Sequence, residues 1–254
     1  RKWPTDPYSA PDEQYQVLRQ LLDVRDQARQ DVPEVLKAAG LRGMGGAGFP
    51  TGLKWQFVRD TPGEEKYAVV NADESEPGTF KDRVILEELP HLVVEGLLIG
   101  SLVAGATKAI IYIRHEYKRE AKAIRREIQR VEDLGLTDAV GVELSLFVSP
   151  GGYILGEETA LIEALEGKRG EPRLKPPFPA QVGAFGMPST VNNLETIAAV
   201  PPALALGGGA CAKLSDRQRE TAATVAHELR HLWQRANGGM DEQDAEDFGR
   251  RIAA

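Results

Sequence analysis

Cysteine is almost absent from this sequence of 254 residues, in which Cys211 is the only one. A single cysteine forms no intrachain disulfide, and by itself it holds neither an iron–sulfur cluster nor a cysteine-type zinc site. The composition therefore predicts a protein of a reducing, cytoplasmic compartment that carries no iron–sulfur cluster in this chain.

Long apolar runs and an excess of positive charge are also missing. The longest apolar stretch, residues 91–114, contains Glu95 and Lys108 and is interrupted by Gly105. It predicts a helix, a turn and a strand, so we expect no membrane span. The formal net charge is −7, which argues against nucleic acid as the main partner.

Short β-branched runs alternate with helical patterns through most of the chain. Strands are predicted over residues 67–71, 109–113 and 143–148, and helices over residues 80–89, 91–104, 116–133 and 156–166. Such alternation predicts an α/β fold with a Rossmann-like, mainly parallel sheet and flanking helices, whose ligands bind at the carboxyl ends of the strands.

The remaining segments are more polar. Residues 8–30 predict a helix that covers the domain without entering its core, and residues 35–39 predict a short helix with Pro33 in its first turn. Residues 168–193 predict a long structureless loop, a feature that is usually functional in a compact domain. The character of the sequence changes near Leu206, which predicts one domain over residues 1–206 and a helical tail over residues 207–254.

A glycine-rich segment, GLRGMGGAGFPTGLKW, occupies residues 40–55. Gly45, Gly46 and Gly48 permit positive φ angles and close approach of a ligand to the main chain, and Lys54 supplies a cation suited to a phosphate. The alternative is a flexible loop or a tight packing corner. The segment is neither a Walker A loop nor a GxGxxG turn that opens a helix after a strand.

Three further motifs follow in order: NADESEPGTFKDR, GGYILGEETALIEALEG and PPFPAQVGAFGMPSTVNNLET. Together with the glycine-rich segment they closely resemble the NADH- and FMN-binding flavoprotein subunit of respiratory complex I, a module that also occurs in NAD-linked formate dehydrogenases and hydrogenases. The resemblance covers about residues 8–205. It implies an NADH dehydrogenase component that accepts hydride from NADH onto FMN.

The resemblance also implies the site residues. Glu76 and Glu158 are the candidates nearest the reaction, although hydride transfer between bound cofactors requires no side-chain acid or base. The residues implied in holding FMN or NADH are Gly43, Gly45, Gly46, Phe49, Lys54, Phe57, Asn71, Asp73, Tyr153, Glu157, Lys175, Phe178, Val191, Asn192 and Asn193.

Some of these residues also have simpler explanations. Glu157 and Glu158 fit the acidic start of any helix. Val191, Asn192 and Asn193 are expected to open a helix, and Asn192 and Asn193 could serve only as its cap. Met44 stands where the family usually has arginine, which would remove one cation near the nucleotides. The resemblance implies partner subunits of an NADH-oxidising complex, including an iron–sulfur subunit, that could hold the protein at the inner membrane.

The tail contains an HExxH pattern, His227-Glu228-x-x-His231. On a helix both histidines lie on one face and could bind zinc, with Glu228 as the base of a bound water. The following segment offers two carboxylates, Glu242 and Glu246. Its pattern makes Glu242 the third zinc ligand and Glu246 a residue that holds the ligands in place, but a tight helical hairpin would place Glu246 nearer to His231, so the choice between them stays open. The alternative is a charged helical hairpin with two surface histidines.

Three functions therefore compete. The first is an NADH- and FMN-binding electron-entry module that lacks the iron–sulfur domain of its family. The second is a zinc metallopeptidase-like protein that acts through the tail. The third is a scaffold that binds nucleotide without turnover. The electron acceptor and the preference between NADH and NADPH stay open.

Overall fold

The computed structural model describes residue 3 and residues 5–206. In this part of the chain ten α-helices and four strands follow one another. The strands are β1 (Tyr67–Ala72), β2 (Lys108–Ile113), β3 (Glu143–Val148) and β4 (Ser189–Asn193). The helices are α1 (Gln16–Asp23), α2 (Arg25–Ala38), α3 (Thr51–Asp60), α4 (Lys81–Glu88), α5 (Pro90–Ala104), α6 (Lys118–Asp133), α7 (Leu136–Val140), α8 (Glu158–Leu165), α9 (Leu194–Ala198) and α10 (Val200–Leu206).

The four strands form one sheet in the order β3-β2-β1-β4, and every neighbouring pair is parallel. The register aligns Asn71 at the end of β1 with Tyr112 of β2 and with Asn193 of β4. The predicted α/β fold is therefore confirmed. Because all strands point the same way, the loops that follow them meet at one edge of the sheet.

Helices cover both faces of the sheet. On one face lies the main core, centred on α5, whose residues from His91 to Ala104 are all buried. On the other face a smaller cluster joins α8 to Tyr67, Val69 and Tyr112 of the strands. This burial on both sides explains why the central strands β1 and β2 read as largely apolar runs in the sequence.

The structure confirms the three predicted strands and the helices that follow them, but it corrects the segment 168–193. This segment contains β4 and a short 3-10 turn at Ala184–Gly186. Val191 and Asn192 lie within β4 and do not open a helix; α9 begins only at Leu194. The strand forms because it pairs with β1 along its whole length, a long-range contact that a short polar segment does not reveal.

The N-terminal helices also differ from the prediction. Residues 8–15 are not helical, and Leu18, Leu21 and Ala28 are fully buried, so α1 and α2 contribute to the core. Pro33 lies inside α2 and does not start a new helix. Proline leaves the carbonyl oxygen four residues earlier without its helical partner. Arg59 Nη1 donates to that oxygen, on Arg29, at 2.6 Å, which allows the helix to continue.

Among the described residues, no helix combines the length and the apolar character that crossing a membrane requires. The predicted division between residues 1–206 and 207–254 stays a prediction, because the tail lies outside the described residues.

Candidate functional site

The glycine-rich loop is fixed at both ends. Arg42 and Pro50 form an isolated antiparallel bridge, and the Gly43 N–H donates to the Phe49 carbonyl oxygen at 2.9 Å. The Met44 N–H donates to Thr196 Oγ1, also at 2.9 Å, which ties the loop to the first turn of α9. The loop is thus held across the carboxyl end of β4 and is not a free flexible segment.

Inside the loop, the glycines leave the backbone uncovered by side chains. A Cβ atom on Gly45 would lie 3.4 Å from Asn193 Cβ, whereas Gly46 and Gly48 face open space at φ angles of +115° and +60°. Asn193 caps α9 by accepting from the Thr196 N–H at 3.3 Å. The loop and the capped helix end form a cradle of bare backbone, which suits an anionic group.

Lys54 and Lys175 bracket Glu158 at the edge of this cradle. Lys54, on α3, places Nζ 3.1 Å from Glu158 Oε2 and 2.5 Å from the Val191 carbonyl oxygen. Lys175 Nζ lies 2.7 Å from Glu158 Oε1. Burial alone would raise the pKa of Glu158, but the two ammonium groups outweigh it and hold that pKa below its usual value. Glu158 is therefore a carboxylate at neutral pH.

The neighbouring Glu157 has the role of a helix cap. Its side chain accepts from the backbone N–H groups of Thr159 and Ala160 at 2.8 and 2.9 Å, and Lys175 Nζ lies 3.2 Å away. Burial works against ionisation, yet these hydrogen bonds lower the pKa of Glu157. Glu157 is therefore the N-cap of α8, as the helix-start explanation predicts.

Asn71 and Asp73 occupy the carboxyl end of β1. Asn71 Nδ2 donates to the Gly156 carbonyl oxygen at 2.8 Å, and Asn71 Oδ1 accepts from the Asp73 N–H at 3.1 Å. Asp73 accepts from Ser75 and, at 3.4 Å, from Ser149, whose hydroxyl also accepts from Tyr112 at 3.0 Å. Burial raises the pKa of Asp73. Residues from three strand ends are therefore joined by hydrogen bonds.

Aromatic rings are exposed around the same edge. The Phe49 and Phe57 rings lie with centroids 6.2 Å apart, and Tyr153 and Phe178 are 67% and 54% exposed. The Tyr153 hydroxyl donates to Glu76 Oε2 at 2.6 Å. Exposure of large aromatic rings to water is unfavourable, whereas the same rings can stack on a planar ligand.

Residues 171–183, which we call the strap, carry Lys175 and Phe178 across α8. Arg173 fixes the strap through four contacts. Its N–H donates to Thr159 Oγ1 at 2.8 Å, and its guanidinium contacts Glu163, Glu166 at 2.7 Å and the Gly183 carbonyl oxygen at 2.9 Å. Arg173 was not among the predicted site residues, and neither were Thr196 and Ser149.

Most of the predicted site residues therefore converge on one edge of the sheet. Asn192 differs, because its side-chain amide donates to Thr190 Oγ1 at 2.8 Å within β4, and Val191 takes part through its carbonyl oxygen. The predicted zinc residues His227, Glu228, His231, Glu242 and Glu246 lie outside the described residues. Within residues 5–206, no group of three or more His, Cys, Asp or Glu side chains could hold a metal ion.

Known proteins resemble this chain over most of its described length. A family model described as the Nuo51 FMN-binding domain matches residues 36–202. The F 1 subunit of the NADH-quinone oxidoreductase of Rhizobium meliloti is 50% identical over 190 residues, which are 72% of this chain and 44% of that protein. The corresponding F subunit of Aquifex aeolicus is 48% identical over 199 residues, 76% of this chain and 46% of that protein.

A solved structure shows the same fold. The NAD⁺-reducing [NiFe]-hydrogenase in its H₂-reduced state superposes with a TM-score of 0.72 at 40% identity, covering 83% of this chain and 36% of the hydrogenase chain. The chain thus spans less than half the length of the relatives that it matches.

Proposed function

The chain belongs to the Nuo51 FMN-binding domain family, and from that premise we propose that it is an electron-entry module, an NADH dehydrogenase component that binds FMN and NADH side by side. The observation that carries the proposal is the cradle at the sheet edge. It combines an open glycine loop, a capped helix end, two lysines and exposed aromatic rings. Those features fit a ligand that has both a phosphate and a planar ring system.

For FMN, we propose that the phosphate lies against the glycine loop and the start of α9. Gly43, Gly45, Gly46 and Asn193 would offer backbone and amide contacts, with Val191 and Asn192 beneath them, and Lys54 would supply the cation. Asn71, Asp73, Tyr153 and Glu157 would contact the flavin. The support comes from the closeness of Gly45 to Asn193 and of Lys54 to Val191.

For NADH, we propose that the residues at the outer side of the site make the contacts. They are Phe49, Phe57, Glu76, Glu158, Lys175 and Phe178. Three of these residues present exposed rings, and Lys175 on the strap offers a cation beside Glu158. FMN, when bound, supplies an acceptor for the hydride of NADH. The contribution of the protein is to hold the two ligands in contact and to exclude water between them.

Glu158 and Glu76 are the carboxylates nearest the proposed reaction. Glu158 stays ionised because of its two lysines, and Glu76 accepts from the Tyr153 hydroxyl. We propose that both orient the nucleotide and that neither transfers a proton. This assignment is consistent with hydride transfer between two bound cofactors.

We further propose that the chain works within a multi-subunit complex. The relatives are named as subunits of NADH-quinone oxidoreductase and as an NAD⁺-reducing hydrogenase. An iron–sulfur subunit would take the electrons, and such partners would hold the chain on the cytoplasmic side at the periphery of the inner membrane. Residues 1–206 would form the nucleotide-binding domain of this assembly.

The test is to purify the full chain, record its absorption spectrum, and add NADH without oxygen. Bound FMN that bleaches with NADH would support the electron-entry module. FMN that stays oxidised after NADH addition would contradict electron entry and favour a nucleotide-binding scaffold. Apo protein that cannot be reconstituted with FMN would overturn the assignment of the cradle. Titration with NADPH in parallel would measure the preference between the two nucleotides.

A further inference from the structure

Helix α6 presents an exposed face that is entirely basic or polar. Lys118, Arg119, Lys122, Arg125 and Arg126 all lie on this face and are exposed, whereas the apolar residues of α6 are buried in the core. The acidic residues in the middle of the helix do not neutralise them. Glu120 is buried and faces Arg83, and Glu127 accepts from Tyr15 and pairs with Arg130. We call these five cations the α6 basic face.

The five cations are unusual because they have no partner in the described part of the chain. Nearly all other lysines and arginines there make an ion pair or donate a hydrogen bond to a carbonyl oxygen. Examples are Lys108 with Glu143 and Arg29 with the Leu102 carbonyl oxygen. Outside α6, only Arg19 among the described residues makes neither contact. Unpaired positive charge is therefore concentrated on one helix of a chain whose formal net charge is −7.

The positions of the five cations along α6 are also electrostatically unfavourable for the helix itself. Lys118 and Arg119 occupy the first turn of α6, where the helix dipole favours acidic residues. Lys118 and Lys122, and Lys122 and Arg126, are separated by four residues, a spacing at which like charges repel. Since the arrangement lowers the stability of the isolated helix, an external anionic partner is its simplest physical explanation.

From this we propose that the α6 basic face is a docking surface for an acidic patch on a partner protein. The five cations span about 12 Å along the helix axis at about 1.5 Å per residue. Acidic residues bound them at both ends, Glu116 before the helix and Glu132 and Asp133 at its end. A compact acidic protein surface fits between these ends. A long polyanion such as a nucleic acid would extend over the acidic residues and be repelled by them.

A lipid surface fits less well. Interfacial helices place aromatic or long apolar side chains in the membrane, but the exposed positions of α6 carry only charged and amide side chains.

The position of the face favours a protein partner. Arg114, a few residues before α6, contacts Glu74 in the loop that follows β1, so the basic face begins beside the sheet edge that carries the proposed site. The inference does not depend on whether FMN or NADH binds there.

The first experiment uses the full chain and a labelled probe peptide of twelve aspartate and glutamate residues at physiological salt. Wild type is compared with a variant that replaces all five cations by glutamine, a good helix former. The control variant removes an equal number of positive charges at positions outside α6. Its substitutions are Arg19→Gln, Lys37→Gln, Lys108→Gln, Lys168→Gln and Arg169→Gln. We expect at least tenfold weaker peptide binding by the α6 variant and nearly unchanged binding by the control.

Duplex DNA and vesicles of phosphatidylcholine with one-third phosphatidylglycerol are run in parallel. Tighter binding of DNA or vesicles than of the peptide, lost in the α6 variant, would overturn the choice of a protein partner. Equal binding of the peptide by the two variants would overturn the docking surface itself. Circular dichroism of both variants establishes that a loss of binding is not a loss of folding.

The second experiment identifies the partner in the purified native assembly. A carbodiimide joins lysine amines directly to carboxylates, so we expect cross-links from Lys118 or Lys122 to aspartate or glutamate residues of another polypeptide. The five-glutamine variant should lose that polypeptide from the assembly, and the control variant should retain it. If Lys118 and Lys122 remain as reactive in the assembly as in the isolated chain, the proposal is wrong.

Discussion

Lys54 Nζ lies 3.1 Å from Glu158 Oε2, and this ion pair connects α3 to the start of α8 across the end of β4. Both side chains are only about one-quarter exposed, so the pair is partly shielded from water and is stronger than an ordinary surface ion pair. The same lysine also donates to the Val191 carbonyl oxygen. Lys54 is thus fixed at the cradle before any ligand arrives, which lowers the entropic cost of using it to bind an anion.

Replacing Lys54 by methionine should weaken FMN binding by about 10- to 100-fold, because a charge-assisted hydrogen bond contributes about 1.5–3 kcal/mol. The measurement is the dissociation constant of FMN from quenching of its fluorescence. Lys37→Met, which removes an exposed lysine paired with Glu34, is the control and should bind FMN as wild type does. Equal affinity in the two variants would show that the cation of Lys54 does not contact the phosphate.

Arg173→Ala should impair NADH use and leave FMN binding almost intact. The strap carries Lys175 and Phe178, whereas the glycine loop is fixed separately through Thr196. The substitution removes the three guanidinium contacts, to Glu163, Glu166 and the Gly183 carbonyl oxygen, and keeps the backbone hydrogen bond to Thr159. Loss of these three contacts should raise the KM for NADH by about tenfold, the effect of about 1.4 kcal/mol. The control is Arg169→Ala, which removes an 89% exposed side chain that forms an ion pair with Glu171. A parallel loss of FMN affinity would mean that Arg173 supports the domain as a whole.

The sequence allowed much of the fold to be predicted, because β-branched runs and apolar periodicity are local signals. The strands around Val69, Ile111 and Leu144 and the helices α4, α5, α6 and α8 follow from such signals. Two elements depended on distant contacts. β4 is stabilised by its pairing with β1, and α2 continues through Pro33 because Arg59 satisfies the freed carbonyl oxygen. Neither contact is visible in a local pattern.

The candidate site was predicted through its motifs, and the structure brings most of their residues to one edge. Thr196 and Ser149 were missed because each acts through a partner far away in the chain, whereas the partners of Arg173 lie only 7 to 14 positions away. Thr196 receives the Met44 N–H from 152 residues earlier, and Ser149 contacts Asp73 from the end of another strand. Thr196 alone had a usable signal, because it stands three residues after the capping Asn193.

Two glycine-to-alanine substitutions should separate folding from binding. A Cβ on Gly52 would lie 2.3 Å from the Pro33 carbonyl oxygen, so Gly52→Ala must push α3 away from α2. We expect the free energy of unfolding to fall by about 1–3 kcal/mol, the usual effect of overpacking. A Cβ on Gly45 would meet Asn193 at an ordinary 3.4 Å, so Gly45→Ala should retain stability to within about 0.5 kcal/mol.

Gly45→Ala should nevertheless weaken FMN binding, because the methyl group fills the cradle between the loop and the start of α9. Urea unfolding and FMN titration of both variants are the measurements. Unchanged FMN affinity in Gly45→Ala, with normal stability, would argue that the cradle holds no ligand. A strong loss of stability in Gly45→Ala would instead identify the loop as a packing corner.

Glu95 should make the stability of the protein depend on pH near neutrality. It is fully buried on α5, where it accepts from the Tyr8 hydroxyl at 2.8 Å and from the Leu18 N–H at 3.0 Å. Burial raises its pKa to about 7, and Asp6 adds to the rise, whereas an unfolded glutamate titrates near about 4.3. Between these values the folded state binds one more proton than the unfolded state. The stabilisation is therefore complete below about pH 4 and is lost as the pH rises through about 7.

Glu95→Gln should remove this dependence, because the amide keeps an acceptor for Leu18 and cannot ionise. With about 1.4 kcal/mol for each unit of pKa difference, we expect wild type to lose roughly 3–4 kcal/mol more than the variant between about pH 4 and pH 8. Other carboxylates titrate in both proteins, so the relevant quantity is the difference between their curves from urea unfolding. Asp12→Asn, which removes an exposed carboxylate, should follow wild type. Parallel curves for wild type and Glu95→Gln would show that Glu95 is ionised in the folded protein and that its hydrogen bonds outweigh its burial.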